Sequence, residues 1–396
     1  MLTNFSDILF LYGPTWDQPA QVSKHHLARY FSRGRRVLYV ENPIHPLSFL
    51  TRREEALRLW KRYLNGPIEE NERLWVSTFF YPLPYRGSRI CLGGQWVNIV
   101  NQTVIRPQLL RLLDHLDFEL PILFVGCAYA LPLIEQIPHS LLVYHCSDDF
   151  TLTSSFPASF SDLEEELIRR CDVVITTSEE LCQAKIHLGS KFVTVTNGAE
   201  IEHFASTQAP DTQLAPELAD LPQPIVGYIG SVFEWIDQEW VIQAARKLPT
   251  WSFVFIGPLM TDISKLRDLP NIHYLGPRRY EDLPKYLRGF DVTTVPFVTN
   301  DVTLRASPIK FYEYLASGVP IVATNLPDFE PLSDCAYLVK DATQFSSALQ
   351  RAVSEDSQEK RQLRMTESQK YSWEVRGAQV NEIIENALSL RSENQK

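Results

Sequence analysis

One feature constrains this chain more than any other: a short run of aliphatic and β-branched residues, a stretch of helical periodicity, and then another run, repeated along most of its length. Asp7-Ile-Leu-Phe-Leu-Tyr12 leads into Gly13-Pro14, a helix is expected over 19–32, and a strand follows at Arg36-Val-Leu-Tyr-Val-Glu41. Further strands are expected at 120–126, 140–145, 173–177 and 192–196, with helices at 100–116, 161–171 and 179–188. Continuous Val/Ile/Leu runs suit parallel strands covered on both faces. Their alternation with helices implies a doubly wound α/β domain. Residues 205–223 hold several breakers and no strand pattern, and read as a linker over 206–223 after a first domain of 1–205. A second strand series then runs through 224–230, 251–257, 272–276, 292–296 and 320–324, with helices at 237–247, 282–289 and 342–354, giving a second α/β domain over 224–371. The tail 372–392 is amphipathic. A chain of 396 residues can give each domain its own core.

Composition excludes several classes. A net charge of -10 argues against a broad nucleic-acid surface. Six cysteines (91, 127, 146, 171, 182, 335) contain no Cys-x-x-Cys pair, which fits neither a zinc site nor a disulfide framework and suits a reducing cytoplasm. The first residues lack the basic region and apolar core of a signal peptide, and no run of 18 apolar residues occurs. Segment 51–64 puts Leu57, Trp60 and Leu64 on one stripe with Arg52, Arg53, Arg58, Lys61 and Arg62 nearby. It reads either as an ordinary amphipathic surface helix or as an in-plane membrane helix, so a peripheral contact with the inner membrane face is expected as an option.

Chemistry concentrates in Ser307-Pro308-Ile309-Lys310-Phe311-Tyr312-Glu313-Tyr314-Leu315-Ala316. Ser307 suits an N-cap, Pro308 the first helical position and Gly318 a left-handed terminus, so a helix is expected ahead of the buried strand at 320–324. Lys310 then falls at the third helical position, where the macrodipole disfavours a cation. A phosphate on the helix end would reverse that. Glu313, one turn deeper and the one charge between Phe311 and Ala316, could accept ribose hydroxyls. The plain alternative is a solvated lysine paired with Glu313 as an ordinary helix ion pair. Gly126, Gly230, Gly257 and Gly276 fall at strand ends, and Gly230 and Gly257 share a domain with Lys310, where backbone could approach a ligand closely.

With these anchors in order, the chain resembles the GT-B glycosyltransferases, in particular the retaining group with a Glu-x7-Glu motif and its bacterial branch that builds exopolysaccharide or teichuronic-type polymers. The resemblance rests on Tyr144-His-Cys-Ser-Asp-Asp-Phe150, Arg170 to Ser178, Val195-Thr-Asn-Gly198, Gly227-Tyr-Ile-Gly-Ser231 with Trp235 and Asp237, Leu275-Gly-Pro-Arg278, Ser307 to Pro320 and Trp373-Glu374. It covers nearly the whole chain. It implies two Rossmann-like domains facing across a cleft, the first completed by the C-terminal helix, and no bound metal or other cofactor. It implies a nucleoside-diphosphate-sugar donor on the second domain, held by Gly230, Ser231, Gly257, Arg278, Arg305, Ser307, Lys310 and Glu313. It implies a glycan, lipid-linked or small-molecule acceptor near Trp16, Gln18, Lys24 and His25. His145, Asp148 and Asp149, after a strand of the first domain, are its catalytic candidates. The residue-level alternatives are a packed histidine, helix-capping aspartates or an Asp148–Asp149 metal site, and a solvated loop and helix face around 16–25. The chain departs from the pattern in two places: position 305, where the first Glu would stand, is Arg305, and the loop Ser231-Val-Phe-Glu-Trp-Ile-Asp237 lacks the Arg and Lys that many relatives place there. A degenerate nucleotide-sugar-binding or scaffold protein, or a sugar-nucleotide epimerase, would share the fold.

Overall fold

The structure of the protein is a computed structural model that describes residues 6–18, 21–83, 94–152, 159–189 and 191–394. It divides into two compact units, residues 1–196 with 377–396 and residues 197–376.

The first unit is built on eight strands: β1 Ile8–Gly13, β2 Val37–Glu41, β3 Ile68–Asn71, β4 Leu74–Ser77, β5 Ile122–Val125, β6 Leu141–Cys146, β7 Val173–Thr176 and β8 Phe192–Thr194. Their order is β3-β4-β2-β1-β5-β6-β7-β8. Every neighbouring pair is parallel except β3 with β4. The apolar runs behave as doubly covered strands should. In β1, Leu9 and Leu11 enter one hydrophobic cluster while Ile8 and Phe10 enter the other. The chain leaves β1 toward β2 and later resumes at β5 on its opposite side, so the topological switch point lies between the carboxyl ends of β1 and β5.

The second unit holds β9 Ile225–Ile229, β10 Ser252–Ile256, β11 Ile272–Gly276, β12 Val292–Val295, β13 Ile321–Thr324 and β14 Tyr337–Val339. They form one parallel sheet in the order β11-β10-β9-β12-β13-β14. Its switch point lies between β9 and β12.

Two boundaries differ from the sequence reading. The division falls at 196/197 rather than after 205, because Phe204 of helix Ile201–Ala205 is buried in the second core. The expected linker is not free chain: Ala215 and Leu218 are buried in the same core. The last helix, Trp373–Asn394, starts in the second unit and from Gly377 onward belongs to the first, where Val380 and Ile384 join the cluster containing Ile8, Phe10 and Ile122. No helix among the described residues is long and apolar enough to cross a membrane.

Candidate functional site

In the second unit, β9 ends at Ile229 and leads into Gly230, at the switch point. Helix Ile309–Ser317 is tied to that strand end by Tyr314, whose hydroxyl accepts from the Ile229 amide at 2.8 Å and donates to the Ile229 carbonyl at 3.2 Å. Gly318 closes the helix at φ 73°, the left-handed terminus expected from the sequence. The start differs. Pro308 is the N-cap residue, with φ −68° and ψ 112°, and no side chain caps the helix. Ser307 is buried instead against Asn197: its hydroxyl accepts the Asn197 amide at 3.2 Å and its carbonyl accepts Asn197 Nδ2 at 2.6 Å. Lys310 therefore stands at the second helical position, in the first turn, whose amides have no intrahelical acceptor.

Lys310 Nζ lies 2.8 Å from Glu313 Oε2, so the ion pair weighed as the plain alternative exists. Its setting is unusual for a helix-surface pair. The Glu313 side chain is 4% exposed and the Lys310 side chain 21%. Lys310 is the one partner of Glu313 among the described residues. A buried carboxylate with two oxygens and a single cation retains capacity to accept further hydrogen bonds. Close by in the fold, Gly257 adopts φ +137°, and a Cβ there would sit 2.1 Å from the Gly230 carbonyl oxygen. The ends of β9 and β10 are thus in backbone contact with no room for a side chain. Tyr228 donates to the Ser231 carbonyl at 3.0 Å and steadies the next residue of the same loop.

Arg278 and Arg305 occupy different situations. Arg278 is engaged: Nε donates to the Tyr286 hydroxyl at 2.6 Å and Nη2 to Glu217 at 3.1 Å, which pins the 216–218 turn to the second core. A role in framing a base would require exchanging those bonds. Arg305 follows the one-turn helix Asp301–Leu304 and is partly buried.

In the first unit the switch point carries a cavity of about 440 Å³, lined among others by Gln18, Lys24, Arg52, Glu55, Tyr81 and Tyr129. Tyr12, also in its wall, has φ 64° at the register shift between Leu11 and Gly13. Such a conformation is an outlier for a bulky residue and marks local strain at the strand end. Of the four acceptor-side residues expected from the sequence, Gln18 and Lys24 line this cavity and Trp16 and His25 do not. Trp16 is buried with its ring edge-on to Tyr39 at 4.9 Å, under the Arg29 guanidinium. His25 is fully buried; Nδ1 accepts the Val22 amide at 3.1 Å and Nε2 lies 3.2 Å from the Thr15 carbonyl. Burial first, then the charges of Arg29 and His26, push its pKa down to about 3, so it is a neutral scaffold residue. Both hold the loop that carries Gln18.

The catalytic candidates after β6 also separate. Asp149 is buried and bonded to Lys185 Nζ at 3.0 Å and to the Thr151 hydroxyl at 2.6 Å. Lys185 in turn holds Glu164 at 2.7 Å. Asp149 is thus held in a buried network of Lys185, Glu164 and Thr151, and a role as base would require exchanging those bonds. Asp148 is exposed. His145 is 2% exposed, packs on Phe124 at 5.6 Å and leaves Nδ1 without a hydrogen-bond partner. Burial, with Lys24 adding to it, holds its pKa well below the ordinary value. No cluster of three His, Cys, Asp or Glu side chains that could hold a metal occurs among the described residues.

Sequence reasoning missed much of the cavity wall. Asn42, His45, Tyr81 and Tyr129 gave no motif, and Arg52 and Glu55 were read only as part of an amphipathic helix. Helix Arg53–Asn65 is anchored from below by a buried bond from Arg62 to Glu41, which also receives the Trp16 amide at 2.7 Å.

Two doubly wound parallel sheets, each with polar groups gathered at its switch point, and a last helix shared between the two units define the GT-B fold. Comparisons with known proteins agree. Residues 223–355 match the family model described as Glycosyl transferases group 1. Among curated proteins, the chain is 31% identical over 204 residues to TuaH of Bacillus subtilis, provisionally described as a teichuronic acid biosynthesis glycosyltransferase; the match covers 47% of this chain and 51% of TuaH. The chain thus spans about half the length of that relative. Among solved structures, sucrose-phosphate synthase from Thermosynechococcus elongatus is similar at a TM-score of 0.66 with 15% identity, covering 97% of this chain and 100% of the other. Anabaena HepE, solved with UDP and glucose, gives 0.63 and 16%, covering 96% and 100%. Trehalose 6-phosphate synthase from Burkholderia multivorans gives 0.69 and 13%, covering 99% of each.

Proposed function

We propose that the protein is a glycosyltransferase that takes a sugar from a nucleoside-diphosphate sugar bound by the second unit and places it on an acceptor bound by the first, in the assembly of a cell-surface polysaccharide. The observation that carries this reading is the buried Lys310–Glu313 pair at the start of a helix tied to the switch point, within the segment that matches the group 1 glycosyltransferases. HepE, solved with UDP and glucose, and TuaH, assigned to teichuronic acid biosynthesis, support the donor and pathway classes.

In this reading the diphosphate sits on the first-turn amides and Lys310, with Arg305 beside them, and Glu313 accepts the ribose hydroxyls. A cation placed where leaving-group charge develops contributes about 3–4 kcal/mol of transition-state stabilisation. No step of this scheme calls on a metal. Asp148, exposed where Asp149 is not, is the carboxylate free to take the acceptor proton. His145, neutral, offers a ring nitrogen to a sugar hydroxyl. The contact with a membrane expected for 51–64 remains a proposal: Leu57 and Leu64 are exposed, while Trp60 is packed on Phe49 and Phe80 and Arg58 on Asp17. Sedimentation with anionic vesicles tests it.

Calorimetric titration with UDP, GDP and ADP tests the donor site. One of the three binds the wild type, and Lys310→Ala and Glu313→Gln each weaken it at least about tenfold while the circular dichroism spectrum is kept. Unchanged affinity in both variants refutes the site. Binding without transfer to any acceptor in a broad panel would favour the degenerate-binder reading, for which the cation-free loop 231–237 speaks.

A further inference from the structure

The cavity of the first unit contains a buried lysine with no ion-pair partner among the described residues. Lys24 is 4% exposed and lines the cavity at the switch point. Its Nζ donates to Ser147 Oγ at 2.9 Å, and that hydroxyl is its one bonding partner among the described residues. No carboxylate lies within ion-pair distance of it among them. The side chain cannot swing away cheaply. Its stem lies against the end of β5, where a Cβ on Gly126 would come within 2.7 Å of Lys24 Cε. Burial lowers its pKa, and the charge of Asp148, beyond ion-pair distance, opposes that drop. An ammonium taken from water without a counter-charge is costly, and a ligand that brings one recovers the cost.

The rest of the wall suits a sugar. Tyr81, Tyr129 and Phe150 supply aromatic surface, and the Nδ1 of His45, stacked on Tyr81 at 5.6 Å, is buried without a partner. Arg52 adds a second cation, and Glu55, the acid of the lining, is drawn toward Arg52 Nη1 and the Thr15 hydroxyl, both at 3.4 Å.

We propose that the acceptor of the transfer reaction is an anionic sugar, a uronate or a sugar phosphate, whose acid group is received by Lys24 at the base of this cavity. The inference rests on the glycosyltransferase reading for the word acceptor, but its binding component stands alone. Lys24 is then a specificity-determining residue, with the aromatic rings holding the apolar face of the sugar.

Saturation-transfer NMR and calorimetry on the full chain, without nucleotide, test it with three probes: glucose, sodium glucuronate and glucose 6-phosphate. A dodecyl phosphate probe separates a phosphate carried on a lipid from one carried on a sugar. The expected result is binding of glucuronate or glucose 6-phosphate at least about tenfold tighter than glucose, with that preference removed in Lys24→Met and retained in Lys310→Ala. Equal binding of charged and neutral sugars, tighter binding of dodecyl phosphate than of either charged sugar, or no binding of any probe at 10 mM-scale concentrations, overturns the proposal. The comparison among probes is made on the wild type, so it survives even if Lys24→Met folds poorly. Nucleotide binding that depends on Lys310 but no preference for anionic sugars would sink this inference and leave the proposed function standing. The converse pattern would sink the proposed function and leave the cavity.

Discussion

Lys185→Met isolates the buried network that holds Asp149. In the wild type one ammonium serves two carboxylates: Nζ is 3.0 Å from Asp149 and 2.7 Å from Glu164, and the three side chains are 7%, 2% and 2% exposed. Methionine keeps the stem volume and removes the charge. Both acids would then be buried anions, supported by the Tyr144 hydroxyl at 2.5 Å on Glu164 and the Thr151 hydroxyl at 2.6 Å on Asp149. Breaking a buried pair from one side costs about 3–5 kcal/mol, and the remaining hydroxyl bonds place this case near the lower end. For a unit of this size each kcal/mol is worth about 2–4 °C, so the melting temperature of the first unit should fall by roughly 10 °C. Because the chain has two units, the loss is best read by hydrogen exchange in peptides covering 141–152 and 179–189, where it should be local. The Lys185 pKa is raised: burial opposes its charge, but Glu164, Cys146 and Asp149 outweigh burial. A raised lysine pKa gives stability that is complete below the ordinary lysine value near 10.4 and lost only as pH climbs above it. The difference between Lys185→Met and wild type should therefore be flat from about pH 6 to pH 9. Adding Glu164→Gln and Asp149→Asn to Lys185→Met should recover more than half of the loss. A difference below about 1 kcal/mol would mean that the network is solvated. Loss of transfer in Asp149→Asn with stability intact would show that Asp149 acts in the chemistry rather than in packing and refute the reasoning.

Three shorter tests address other parts of the molecule. Gly257→Ala, which places a Cβ 2.1 Å from the Gly230 carbonyl at φ +137°, should destabilise the second unit by at least ~1–3 kcal/mol and weaken nucleotide binding, measured by urea unfolding and calorimetry. His25 has a folded pKa of about 3 against an unfolded value near 6.5, so the stability it contributes is complete above pH 6.5 and declines by up to ~1.4 kcal/mol per unit as pH falls toward 3; His25→Gln should flatten that slope in urea midpoints. Arg62→Met strands the fully buried Glu41 and should cost about 3–5 kcal/mol, with faster hydrogen exchange across 14–18 and 53–65.

The sheets were legible in the sequence because parallel strands buried on both faces must be written in continuous apolar residues. β3 was not: Ile68-Glu69-Glu70-Asn71 is exposed throughout and pairs antiparallel at the sheet edge, so no apolar run announces it. β4 and β14 are also absent from the expected strands, although β8, at three residues, is among them, so length alone does not account for it. The helix over 309–317 and its glycine terminus were legible because a left-handed end demands glycine. Its start was misjudged because Ser307 had two uses open to it, and the tertiary bond to Asn197 won over local capping. The site shows the same divide. Lys310 and Glu313 are three residues apart and were read together. Asp149 with Lys185, and Arg278 with Glu217, are joined across 36 and 61 residues, a distance at which residue type carries no information about partners. That is why the partners of Asp149 and Arg278 were not legible in the sequence.

The two switch points place a lysine under opposite electrostatic conditions, and this decides what each can receive. Lys310 comes with a buried carboxylate of its own, so the pair is neutral and offers both a cation and an acceptor. A ligand that suits it must carry an anion and hydroxyl donors close together, as a diphosphate joined to a ribose does. Lys24 comes with a hydroxyl and no ion-pair partner among the described residues, so its site offers a cation without a bound carboxylate. A ligand that suits it needs only an anion there. A phosphate could satisfy either lysine, but a neutral polyol could satisfy neither fully: at Lys310 it would use the carboxylate and leave the first-turn amides without an anion, and at Lys24 it would bring no counter-charge. Exchanging the counter-charges should therefore exchange the preferences. Removing Glu313 makes the second unit a plain anion site that no longer separates a nucleotide from inorganic pyrophosphate, and a titration of Glu313→Gln with both ligands measures whether it does.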